Sequence, residues 1–207
     1  MESAIFGLIG VVVGALLTTL KEWWFHRGKT RKDREYLVIQ VARQLEKFGS
    51  ICDDVSRDDG TYHGNYNEHG VAEVQVSLPE FSPDKLDVEW KSLGAGLMNK
   101  VLFEFPTRIE NANGRIDNWG EHATPPDYWE FFEERRYQYA RLGIAAFYLS
   151  AELRSSAGLA ARPSLNDGYD PLEYMRELVS ITELRRKKQE DVIRALADAA
   201  PQANAPS

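Results

Sequence analysis

Cysteine occurs once in this 207-residue chain, at Cys52, which excludes an internal disulfide and fits a reducing compartment. Glycine-rich phosphate loops, nucleophile elbows, HExxH helices and CxxC pairs are all missing. No catalytic residue, cofactor or metal is therefore expected, and the chain does not read as an enzyme. An excess of positive charge is lacking too. The net charge is −7, and residues 51–134 carry eighteen Asp/Glu against six Lys/Arg. Extended nucleic acid is thereby disfavoured, because its binding depends on neutralising phosphates.

Long hydrophobic runs are absent with one exception. Ala4–Leu20 (AIFGLIGVVVGALLTTL) is 17 residues without a charge. As a helix it would span about 26 Å, and the flanking Lys21, Trp23 and Trp24 extend that reach toward a bilayer core of about 30 Å. A cleaved signal peptide would need a basic start and a small-residue cleavage site, and neither is present. The expectation is a retained transmembrane anchor over 1–25. Lys21, Arg27, Lys29, Arg31, Lys32 and Arg34 follow it, against Glu22 and Asp33. Such flanks stay on the cytoplasmic side, which puts the N-terminus outside the cell (inner) membrane and the rest in the cytoplasm. The same residues with Trp23 and Trp24 form a membrane interface suited to anionic head groups.

Small residues recur within the apolar run. Gly10 and Gly14 form a GxxxG, and Gly7 and Thr18 extend the spacing. Lipid supplies no hydrophobic drive between helices, so close backbone approach at small residues is the usual basis for their association. A homo-oligomer packed at Gly7, Gly10, Gly14 and Thr18 is expected. No charged residue lies within the span, so a proton relay there has no support.

Beyond the anchor the pattern is mainly α. Leu37, Val41, Leu45, Phe48, Cys52 and Val55 recur at three- and four-residue spacing, one apolar stripe of a long helix within 26–57 that could continue the membrane span. Residues 58–82 read as a polar loop followed by a short extended segment near 71–78, where Ala72, Val74, Val76 and Leu78 alternate with polar residues. Residues 83–199 read as an antiparallel helical bundle. One helical segment opens at Ser82-Pro83, broken by Gly94, Gly96 and Pro106; a second opens at an Asp127/Glu130 capping box and runs to about Ser156; a third opens at Asp170/Glu173 and runs to about Ala199. Leu142–Leu153 is too short for a second span and reads as a buried core helix. The tail 200–207 reads as disordered.

Candidate chemistry is sparse. His63, Glu68 and His69 share the polar loop, but their spacing fits no metal motif. Cys52 sits on the apolar stripe as a small hydrophobe. Arg135, Arg136 and Arg141 share a helix with several aromatics and could contact a small nucleotide, although pairing with Glu130, Glu133 and Glu134 weighs more heavily. Arg185-Arg186-Lys187-Lys188 reads as a solvated face. The leading functional expectation is a self-associating single-pass membrane protein whose cytoplasmic bundle senses or docks a partner, with a pore-forming or membrane effector as its sharpest version. A monomeric tether for a binding domain is the alternative, and a membrane-anchored metal-dependent enzyme is the weakest.

Overall fold

The computed structural model describes the backbone of residues 2–162 and 168–199, and the side chains of Leu17, Lys21, 30–162 and 168–198. It is mainly helical, and its spine is a single uninterrupted helix, α1 (Glu2–Arg57), of 56 residues. Leu37, Val41, Leu45, Phe48, Cys52 and Val55 are each 1% exposed or less. The three- and four-residue spacing thus places all six on one face, where each large side chain contributes about 1.5–3 kcal/mol on burial.

That face is covered chiefly by α4 (Trp129–Ser156), which runs antiparallel to α1. Glu46 meets Arg154, Gly49 lies under the Phe147 ring, Cys52 lies against Gly143, and Asp58 meets Arg135. Gly143 permits the closest approach. A Cβ there would stand 2.5 Å from Met175 Sδ and 2.8 Å from Cys52 Cβ. The expected core segment is observed within α4, with Leu142, Ala146, Phe147, Leu149 and Leu153 buried. Two further helices flank α4, both antiparallel to it. Tyr139 of α4 donates to Asn113 of α3 (Phe105–Gly120), and Tyr137 donates to Glu183 of α5 (Pro171–Ala199). Helices α1, α3 and α5 therefore run in one direction and α4 returns among them.

The sequence expectations for local structure divide. Asp170 does cap α5, its Oδ1 accepting the Leu172 N–H at 2.9 Å. The Asp127 cap is not formed. Tyr128 stands at the start of α4 in the left-handed conformation, with φ 46° and no side-chain cap bond. The short strand near 71–78 is not formed either, and no strand occurs among the described residues. Val74 and Leu78 are 45% and 47% exposed, so the alternation does not divide inside from outside. The reason is the absence of a second extended segment to pair with. The Gln75 and Val76 N–H groups donate instead to Asp58 Oδ2, and Glu73 N–H to the Gly60 carbonyl.

The α-helix begins at Ala95 rather than at Ser82-Pro83. The intervening chain makes only short 3₁₀ turns at Pro83–Lys85 and Trp90–Ser92, and Gly94 takes φ 86°. The short helix α2 (Ala95–Asn99) then widens into a π turn at Lys100–Glu104 before α3. Pro106 accounts for this widening. It has no N–H for the carbonyl of Leu102, and its ring would crowd that carbonyl in a regular α-helix.

Among the described residues no helix is long and apolar enough to cross a membrane. The stretch Ala4–Leu20, Leu17 excepted, lies outside the described side chains. Beyond Arg186 every described side chain of α5 is exposed.

Candidate functional site

The three arginines singled out from sequence have separate fates. Arg135 is buried, pairing through Nη1 with Asp58 Oδ2 at 2.8 Å and donating through Nη2 to the Val76 carbonyl. Asp58 Oδ1 also accepts the Gly60 N–H at 3.0 Å. This is a strut that fastens the 58–76 segment to α4. The buried pair is tolerated because three backbone N–H groups also donate to the Asp58 carboxylate and the Val76 carbonyl accepts from Arg135. Arg136 donates from Nε to the Ser56 carbonyl at 2.9 Å, satisfying an acceptor left free in the last turn of α1. Only Arg141 is exposed.

Two of the three expected partners of these arginines are engaged elsewhere. Glu133 pairs with Arg185 and Glu134 with Arg186, each at 2.6 Å, and the Arg186 guanidinium lies 4.3 Å from the Tyr137 ring centroid. The run Arg185–Lys188 is therefore only half a solvated face. Lys187 and Lys188 are exposed, while Arg185 and Arg186 clamp α5 onto α4.

Arg141 points into a groove between α3 and α4. Two adjoining cavities make up this groove, of about 360 Å³ and 190 Å³, and both are lined by Arg108, Arg141 and Ala145. The larger adds Lys100, Glu104, Tyr148 and Glu152; the smaller adds Asn111, Arg115 and Gln138. Arg108 and Arg115 are seven residues apart on α3, so they share a face with Asn111 between them. Lys100 is neutralised by Glu152 at 2.6 Å. Arg108, Arg115 and Arg141 have no ion pair among the described residues; Arg141 makes one weak ring contact, with its guanidinium 5.4 Å from the Tyr137 centroid. Sequence reasoning found Arg141 and missed Arg108 and Arg115. The signal available for those two was their seven-residue spacing around Asn111.

Two other polar clusters are self-satisfied. Glu46 accepts from Arg154 Nε at 2.7 Å and from Ser150 Oγ at 2.8 Å. Burial pushes its carboxyl up, but those hydrogen bonds outweigh burial and hold it below its ordinary 4.5. Asp53 accepts from the Tyr169 hydroxyl at 2.5 Å, and the Arg57 guanidinium lies 4.4 Å and 4.1 Å from the Tyr169 and Tyr174 ring centroids. Burial first, then the bond to Asp53, pushes the Tyr169 hydroxyl up to about 12. This stack ties the start of α5 to the end of α1. Burial also raises the Cys52 thiol well above its ordinary value, as suits a core residue.

His63, Glu68 and His69 are exposed, and no group of three metal-capable side chains occurs among the described residues. Their loop is knitted by its own side chains. Asp59 Oδ1 accepts the Thr61 N–H and Asn67 Oδ1 accepts the His69 and Val71 N–H groups. Of the expected membrane-interface residues, Lys21, Arg31 and Lys32 are exposed and Arg34 is half-buried, with Arg31 paired to Glu35 at 2.8 Å. Trp23, Trp24, Arg27 and Lys29 lie outside the described side chains, as do Gly7, Gly10, Gly14 and Thr18. Comparison of the chain with known protein families, with curated proteins and with solved structures gave no match.

Proposed function

We propose that this chain is a single-pass membrane protein that self-associates through its N-terminal helix and presents a helical bundle to the cytoplasm, where the bundle senses or docks a partner. The supporting observation is the continuity of α1, one helix from Glu2 to Arg57 with no break between its ends. At about 1.5 Å per residue it is about 84 Å long. One end carries the uncharged run Ala4–Leu20 and the other is the spine of the bundle core. A continuous helix couples the two mechanically. Helices brought together at Gly7, Gly10, Gly14 and Thr18 would set the spacing and rotation of the bundles, and a partner acting on the bundle would act back on the helix contact. A pore-forming or membrane effector is the sharpest form of this reading.

Topology and mass test the proposal. A reporter fused after Ser207 should be cytoplasmic, and protease added outside intact cells should leave 30–199 uncut. The protein in nanodiscs should have a mass greater than one chain. External cleavage of the bundle would overturn the topology, and a monomer at every concentration would leave only a tether.

A further inference from the structure

We infer that the α3–α4 groove binds a nucleoside polyphosphate, with its phosphates against Arg108, Arg115 and Arg141 and its base on Tyr148. The inference goes beyond the membrane reading and does not depend on it. Its first support is charge. The chain is acidic, and most of the bundle's arginines outside this groove are committed: Arg57, Arg135, Arg154, Arg185 and Arg186 to carboxylates, Arg136 to a carbonyl. Three guanidiniums from two facing helices nevertheless converge on this groove without a carboxylate partner among the described residues. Unpaired like charges gathered in one concavity repel one another, and a multivalent anion offsets that repulsion while using their planar donor forks.

The second support is polarity along the groove. Seven residues separate Arg141 from Tyr148, so they lie on the same face of α4 about 10 Å apart. Tyr148 is 53% exposed, and its hydroxyl accepts from Arg176. The Tyr148 end of the groove also holds Glu104 and Glu152. The polar groups at one end are cations and amides, and the other end has an aromatic ring beside Glu104 and Glu152, whose Oε1 atoms accept from Asn99 and Lys100 and whose Oε2 atoms remain as acceptors among the described residues. A molecule anionic at one end, with a flat ring bearing N–H donors at the other, matches both. A nucleotide has that form, with its base stacked on an aromatic side chain and its phosphates on arginine. The larger cavity falls within the usual volume range of small-molecule sites.

The full chain in detergent, titrated calorimetrically with each of ATP, GTP, CTP and UTP and with inorganic triphosphate, tests this. At least one nucleotide should bind saturably at one per chain, and tighter than inorganic triphosphate. Arg108→Ala with Arg141→Ala should weaken it about tenfold or more. Tyr148→Ala should reduce the nucleotide to the affinity of inorganic triphosphate and leave triphosphate binding unchanged. Arg115→Glu provides a second, independent loss, and the thermal midpoints of the arginine variants should equal or exceed wild type, because removing one of three exposed like charges relieves their repulsion. No saturable binding by any nucleotide, undiminished binding in the arginine variants, or triphosphate binding as tightly as the best nucleotide would each overturn the inference.

Discussion

The two ends of α1 share one helical backbone and differ in what their side chains require. From Leu37 to Val55 the apolar residues occupy one face, while Arg43, Lys47 and Asp54 stand exposed on the other. A stripe of that kind needs a protein core, and here it has one. From Ala4 to Leu20 there is no charged face at all. A helix apolar all round is stable in lipid or among other helices, and its backbone groups are already satisfied within the helix. Helix formation alone therefore says little about location; the distribution of charge around the axis says much more. The comparison also narrows where two copies could meet. The Leu37–Val55 stripe is 1% exposed or less at each of its six apolar positions and is already used within one chain.

If the bundle end is held by packing and buried polar struts, changes there should destabilise the bundle and leave association untouched. The largest effect should come from Asp58→Ala, which strands the buried Arg135 guanidinium and frees the Gly60, Gln75 and Val76 N–H groups. A loss of about 3–5 kcal/mol is expected by denaturant unfolding. Adding Arg135→Met should recover only part of it, since the three backbone donors remain unpaired. Gly143→Ala should cost about 1–3 kcal/mol, because the new methyl group meets Cys52 Cβ and Met175 Sδ. A neutral result would mean that α1 and α4 cross less tightly than described.

Glu46→Gln should have a smaller effect, which depends on pH. The folded carboxyl titrates below its ordinary value, so its contribution is present above about pH 4.5 and is lost as pH falls through the folded value. The variant should be less stable than wild type near neutrality, by about 1–2 kcal/mol, and should converge with it in acid. A constant difference across that range would contradict the role given to the Arg154 and Ser150 hydrogen bonds. Tyr169 acts at the other extreme. Its hydroxyl is raised to about 12 in the fold, so the stability it contributes is intact below about pH 10 and lost as pH rises toward 12. Tyr169→Phe should flatten that alkaline loss. The smallest effect should come from changing His63, Glu68 and His69 together to alanine, within about ±0.5 kcal/mol. Stoichiometric zinc in the purified protein, lost in that variant, would restore the metal reading.

Periodicity made much of this fold legible. The six stripe residues, the buried Leu142–Leu153 segment, the end of α4 at Ser156 and the Asp170 cap all follow from spacing and cap chemistry, which are local properties. What escaped was long-range. Nothing near Asp58 in the sequence announces that its partner is Arg135, 77 residues on, or that its carboxylate accepts the Gln75 and Val76 N–H groups in place of a neighbouring strand. Glu133 and Glu134 look like partners for their helical neighbours, yet they are taken by Arg185 and Arg186 from α5. Arg141 was visible as a candidate because aromatics surround it in sequence. Arg108 and Arg115 face it only once α3 and α4 lie side by side.

In the proposed function, the Ala4–Leu20 end of α1 is where copies meet. The direct measurement is the mass of the full chain in nanodiscs, for wild type and for Gly10→Ile with Gly14→Ile. Isoleucine favours insertion and holds two backbones apart, so both proteins should be recovered in the membrane while only wild type exceeds one chain in mass. A variant that inserts and keeps the wild-type mass would contradict the account.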